Sequence, residues 1–181
     1  MNALIVYNGR FGNTERAAEK ISQELKKHGS EDVTIKAVLN SKKLPELLKS
    51  SVLNLFTLGK GEEPKYPPAS AAEIANYDLL IFGGPNSPAQ FRTDLTVFMS
   101  EVAKINLEGK KVAIFDTRYA EDQNAGADQE IANGAQKSGA SIIGETLHLF
   151  IPNRKIAGPL VEGELAKVKD WVEDLVKEFK R

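Results

Sequence analysis

Residues 4–25 constrain the fold more than any other stretch of the chain. An apolar run, L-I-V-Y, passes into a polar glycine loop, N-G-R-F-G-N-T, and then into E-R-A-A-E-K-I-S-Q-E-L. The run over residues 3–7 is continuously apolar, as a parallel strand buried on both faces requires. Ala17, Ala18, Ile21 and Leu25 recur at helical spacing, and Asn13 or Thr14 is placed to cap that helix. Strand, glycine loop and helix in this order leave several backbone N–H groups unpaired at the positive end of the helix. A phosphate is the natural guest of such a cradle.

The same alternation continues along the chain. Apolar runs occupy 33–38, 79–83 and 111–116, with a split last strand over 141–151. Leu95, Phe98, Met99, Val102 and Ile105 form one helical stripe after a Thr93 cap. Ala127, Ile131 and Ala135 form a second, and Leu165, Val168, Val172, Leu175 and Phe179 mark a long amphipathic helix over 162–179. Five strands interleaved with helices predict an α/β, three-layer sandwich in which a parallel sheet carries helices on both faces. Right-handed crossovers leave few topologies. A single domain over 1–181 accommodates all of it.

Residues 39–76 depart from the pattern. The segment 45–58 reads as a helix, with Pro45 in its first turn, Leu48, Val52 and Leu55 in a row, and Gly59 as its stop. Residues 59–70, G-K-G-E-E-P-K-Y-P-P-A-S, have no periodicity and form an extended irregular loop. It is either a surface loop or a flap or subunit contact in which Tyr66 lies across a neighbour.

Composition narrows the functional classes. With 24 Lys+Arg against 25 Asp+Glu, the net charge of -1 gives no reason to expect nucleic acid or an anionic membrane as partner. The absence of cysteine removes disulfides, thiolate catalysis, iron–sulfur clusters and cysteine-ligated zinc. Two histidines far apart in sequence do not make a histidine-rich metal site, so none is expected. The first strand leaves no room for a leader, and no apolar run reaches membrane-spanning length, so the expected location is cytoplasmic.

In an open parallel sheet the ligand lies beyond the carboxyl ends of the strands, where strand order reverses. Three loops there are rich in glycine, hydroxyls and amides. They are 8–14, 83–91 and 116–126, and together they suit a flat, phosphorylated ligand. The candidate binding residues are Asn8, Gly9, Arg10, Phe11, Gly12, Asn13 and Thr14 from the first loop; Pro85, Asn86, Ser87 and Pro88 from the second; and Thr117, Arg118, Tyr119 and Gly126 from the third. No residue stands out as catalytic, because Ser87 has no adjacent histidine for a triad. His28 reads as part of a helix C-terminus before Gly29. His148 reads as a half-buried structural residue, and Trp171 as packing. Asp116 either binds the ligand or caps the following loop.

These segments resemble flavodoxins. V-Y-N-G-R-F-G-N-T-E is similar to their phosphate loop, Y-D-L-L-I-F-G-G-P to their third strand and flavin loop, and K-V-A-I-F-D-T-R and G-P-L-V-E-G-E-L-A-K-V-K-D-W to later segments of a flavodoxin-like microbial family. The resemblance implies a five-stranded sheet of order 2-1-3-4-5, FMN held non-covalently at the tips of strands 1, 3 and 4, and electron transfer to a redox partner protein or a small-molecule acceptor. An alternative on the same fold is an NAD(P)H-dependent FMN or quinone reductase, for which a homodimer is expected. A third is a binding module that has lost its flavin.

The resemblance also shows departures. Against the flavodoxin pattern S/T-x-T-G-x-T, this chain keeps Gly12 and Thr14 but has Gly9 and Phe11 where two hydroxyls belong. Each lost hydrogen bond to a charged acceptor is worth roughly 1.5–3 kcal/mol. Arg10 offers a bidentate replacement. Tyr119 resembles the tyrosine that stacks on the flavin ring, while the second loop has no aromatic before Phe91, which reads as core. Pro85 and Pro88 flank Asn86-Ser87 without a glycine to turn a peptide carbonyl toward the flavin, which implies a weaker neutral semiquinone than is usual. With a pI near 6.2, the chain lacks the strong acidity that steers electron-carrying flavodoxins to basic partners.

Overall fold

A computed structural model describes residues 1–9, 11–30, 32–38, 64–86, 93–119, 126–152 and 159–181. The elements alternate as the apolar pattern requires: β1 (Asn2–Tyr7), α1 (Asn13–Lys27), β2 (Asp32–Ala37), a single turn α2 (Ala71–Ile74), β3 (Leu79–Pro85), α3 (Thr93–Val102), β4 (Lys111–Tyr119), α4 (Ala127–Lys137), β5 (Ser141–Ile142), β6 (Leu147–Ile151) and α5 (Lys167–Phe179). All strand pairs are parallel, in the order β2-β1-β3-β4-β5. The fifth position is shared: β5 pairs the start of β4, and β6 pairs its end with Asp116 opposite His148. This is the split last strand, with Gly144 at φ 70 where the chain breaks between its halves.

The sheet separates two cores. On one face Ala3, Ile5, Tyr7, Ala113 and Phe115 pack against Ala17, Ile21 and Leu25 of α1 and Val168, Val172 and Leu175 of α5. On the other, Leu4, Val6, Leu80, Phe82, Val112 and Ile114 meet Leu95, Met99 and Val102 of α3 and Ile131 and Ala135 of α4. Alternate residues of each strand feed opposite cores, which is why the runs are continuously apolar.

Several boundaries differ from the sequence reading. α1 is capped by Gly12, at φ 76, not by Asn13 or Thr14, which lie buried in its first turn. The chain enters α1 through a left-handed residue, a conformation glycine adopts without a Cβ penalty, and Thr14 is then engaged elsewhere. Ile105 falls beyond the end of α3. The last helix begins later than 162, because Gly163 at φ 85 leads into a 3-10 turn (Glu164–Ala166) before α5. The expected helix over 45–58 lies outside the described residues.

Part of the irregular loop is described. Residues 67–69 bridge to the last residue of β2, where the Ala37 N–H donates to Pro67 O at 2.9 Å and the Ala69 N–H to Ala37 O at 2.8 Å. That pairs the outward groups of the strand's last residue. Tyr66 meets Tyr7 edge-to-face at 6.2 Å and donates its hydroxyl to Glu19 at 3.0 Å, while Lys65 Nζ pairs with Glu19 at 2.6 Å. The neighbour that Tyr66 lies across is this chain's own α1. At the far end of α1, His28 closes the helix before Gly29 at φ 85, and Trp171 packs on the first core with its indole N–H on Glu145 O at 2.7 Å.

Candidate ligand-binding site

The carboxyl ends of β1, β3 and β4 lie side by side, so the loops that leave them share one edge of the sheet. Their roots are tied together. The Asn8 N–H donates to Gly83 O at 2.9 Å, joining the first loop to β3. The Asn86 N–H donates to Thr117 O at 2.8 Å, joining the second loop to β4. Thr14 Oγ1 and Thr117 Oγ1 share a hydrogen bond of 3.2 Å between buried hydroxyls, joining the first turn of α1 to the third loop.

Within the first loop, Gly9 has little room for a side chain, because a Cβ there would stand 3.0 Å from Thr14 Oγ1 and Thr14 would have to give way. The loop therefore lies directly on the helix start. Asn8 is only 3% exposed, yet its Nδ2 has no hydrogen-bond acceptor among the described residues. A buried donor left unmade costs about 1–3 kcal/mol. Such a group at the root of a helix N-terminus fits an acceptor oxygen supplied from outside the chain. The acidic side chain in this turn is already engaged: Tyr7 donates its hydroxyl to Glu15, and the Lys65 N–H donates to the same carboxylate oxygen at 3.2 Å. Burial, and then the Glu15 carboxylate, push the Tyr7 phenol well above its ordinary range, so it remains a neutral donor.

The glycine pair that the sequence places in the second loop lies inside β3 and serves the core. A Cβ on Gly83 would stand 2.0 Å from Phe115 Cζ, and one on Gly84 2.8 Å from Leu95 Cδ2. Gly83 admits the Phe115 ring on one face, and Gly84 admits α3 and α4 on the other. Pro85 is half-buried and Asn86 buried beside Thr117.

At the end of β4, where the sequence places the start of the third loop, Thr117 faces α1 and Tyr119 is half-buried, its phenol pushed up by burial. Arg118 and Asp116 point to the opposite face. Arg118 is 7% exposed, and its guanidinium binds both carboxylate oxygens of Asp116, with Nε to Oδ1 at 2.9 Å. It also reaches Asp128 Oδ2 at 3.0 Å. Burial alone would loosen the Arg118 proton, but the two carboxylates outweigh it and raise the group above its ordinary range. Burial alone would likewise raise Asp128. The amides of Gly126 and Gln129, then Arg118, reverse that and hold the carboxyl below its usual range. Asp116 is fully buried, and its Oδ2 also lies 3.0 Å from His148 Nδ1. Asp116, Asp128 and His148 gather ligand-type atoms within 4.8 Å, and the cation between the two carboxylates is Arg118.

No protein-family model matches the sequence. Solved structures share the arrangement across the chain. Flavodoxin 2 from Bacillus cereus superposes with a TM-score of 0.70 at 18% identity, covering 98% of this chain and 99% of that one. The chain has the flavodoxin fold. The Fusobacterium nucleatum flavodoxin bound to flavin mononucleotide gives a TM-score of 0.61 at 17% identity, with 99% of each chain covered. The rubredoxin oxygen:oxidoreductase of Desulfovibrio gigas contains the same fold as 36% of its length, at a TM-score of 0.60 and 11% identity.

Within this flavodoxin fold, the described candidates gather at the one sheet edge: Asn8, Gly9, Phe11 and Gly12 in the first loop, Asn13 and Thr14 in the first turn of α1, Pro85 at the end of β3 with Asn86 after it, and Thr117 and Tyr119 in the last residues of β4. Gly126 stands at the start of α4, its N–H on Asp128 Oδ1 at 2.9 Å. Arg118 sits at the same edge with its guanidinium turned to carboxylates. Arg10, Ser87, Pro88, Phe91 and residues 120–125 lie outside the described residues. Among the described residues, Asp116 is held by Arg118 and His148. The partnership of Asp128 and His148 with this strand was missed in the sequence. The Asp116-x-Arg118 spacing places those two on one face of a strand, which was a usable signal. No helix among the described residues is long and apolar enough to cross a membrane.

Proposed function

We propose that this protein binds FMN at the carboxyl edge of its sheet and transfers electrons. The observation that carries the reading is Asn8: a buried amide donor without an acceptor, at the root of a loop that opens onto a helix N-terminus. A terminal phosphate supplies that acceptor. Gly9 and Gly12 keep the loop backbone close to α1, so that its N–H groups and the start of the helix meet the same anion. Arg10 adds charge on the sequence reading, and Asn8 replaces one of the two donors lost with Gly9 and Phe11. The Pro85–Asn86 and Thr117–Tyr119 segments border the ring end of the site, with Tyr119 as its aromatic wall.

When bound, FMN supplies reversible one- and two-electron chemistry; the chain supplies binding, orientation and electrostatics. Thr14 and Thr117 hold the phosphate and ring ends of the site in one register. The near-neutral charge favours a carrier that docks without strong electrostatic steering. Steady NAD(P)H oxidation by the FMN-loaded protein alone would move the assignment from carrier to reductase.

Asn8→Ala tests the reading. It should weaken FMN by roughly tenfold or more, the value of a hydrogen bond to a charged acceptor, while leaving riboflavin, which lacks the phosphate, unchanged. Equal FMN affinity in the variant and the parent would remove the observation on which the assignment stands.

A further inference from the structure

We infer that Arg118 is a positioning residue rather than a contact to phosphate: with Asp116 and Asp128 it fastens together the two ends of the third loop and so sets the ring-facing end of the site. The inference rests on the FMN reading for its effect on ligand. The geometry is independent of it. Asp116 and Arg118 leave the strand side, where β4 ends at Tyr119. Asp128 leaves the helix side, in the first turn of α4, and its other oxygen accepts the Gly126 N–H at 2.9 Å. One guanidinium therefore spans both roots of the segment 120–125, through Asp116 on β4 and Asp128 on α4. His148, its side chain 38% exposed on β6, approaches Asp116 Oδ2 from the next strand, so the anchor itself is held from a third element.

The charge balance argues the same way. An arginine that served a phosphate would need a guanidinium free of competing anions. Here two carboxylates take it, one fully buried and fixed in the sheet. Arginine suits such a duty because its planar fork fixes direction as well as charge. Tyr119 and Thr117, the neighbours of Arg118, alternate to the other face of the strand. Fixing Arg118 fixes the direction in which they emerge.

The two roles predict opposite signs for Asp128→Asn, a near-isosteric change at a residue whose side chain is 22% exposed, so the fold tolerates it better than loss of the buried arginine. If Arg118 were a phosphate ligand, neutralising its competitor would tighten FMN and leave riboflavin alone. As a clamp, Asp128→Asn should weaken FMN and riboflavin alike, by roughly three- to tenfold, and alter the visible circular dichroism of the bound flavin. Arg118→Lys, which keeps the charge and loses the fork, should do the same. Hydrogen exchange on the ligand-free protein gives the second readout: peptides across 119–126 should exchange faster in Asp128→Asn, with peptides of β1 unchanged. FMN tightened by Asp128→Asn, or exchange over 119–126 identical to the parent, would overturn the clamp. A parent protein that binds neither flavin would sink the FMN reading instead, and the exchange result would still decide the clamp.

Discussion

Gly83 shows how one residue can carry two readings. In the sequence it stands in a loop expected to meet a ligand, and a glycine there suggests close approach of backbone to that ligand. In the fold its missing Cβ is space taken by the Phe115 ring, 2.0 Å from where the atom would be. Ring and glycine sit opposite each other in the β3–β4 register, a pairing that no local pattern reveals. Gly83→Ala should therefore destabilise the ligand-free protein by about 1–3 kcal/mol through overpacking, read from urea unfolding. An unchanged midpoint would show that Phe115 moves aside at no cost. Asn8 is the reverse case. Its place in the first glycine loop was legible, but its buried amide without an acceptor among the described residues emerges only from the packed structure.

At the scale of elements, periodicity located the helices better than it located their ends. The stripe of α1 runs from Ala17 to Leu25 as the spacing requires, whereas its start belongs to a left-handed Gly12, with the Thr14 hydroxyl engaged by Thr117. The 3-10 turn before α5 was hidden by Leu165, whose spacing continues the helical stripe through a turn of different pitch. Charge placement on α1 leads to a prediction of its own. Glu24 accepts from Lys20 at 2.7 Å and Lys27 at 2.9 Å, and these bonds hold its carboxyl down to about 2. A folded-state value below the ordinary one stabilises the fold above the ordinary carboxyl range. That stabilisation fades as pH falls from about 4.5 through about 2. Glu24→Gln should flatten the acid limb of stability in that window, measured as urea midpoint against pH. An acid limb as steep as the parent's would show that these lysines contribute nothing to it.

For the whole molecule, the parallel sheet was readable because buried parallel strands leave long apolar runs, and right-handed crossovers leave few ways to join them. The order 2-1-3-4-5 itself was implied by the resemblance to flavodoxins, and the sheet has it. The position of the site followed from that topology. What did not follow was the division of labour at the sheet edge. Asp116, Arg118, Asp128 and His148 come from three elements, and only register and helix placement bring them together. The bridge from Pro68 to the end of β2 was equally unreadable, since proline and lysine there look like any surface loop. The central claim is that the edge joining Asn8, Thr14 and Thr117 holds a flavin by its phosphate. Equilibrium titration of the ligand-free protein with FMN and with riboflavin, followed by flavin fluorescence, tests it most directly. Saturable quenching by one equivalent of FMN, with riboflavin bound at least roughly tenfold more weakly, is the result expected; no quenching by FMN, or equal affinity for the two, would contradict it.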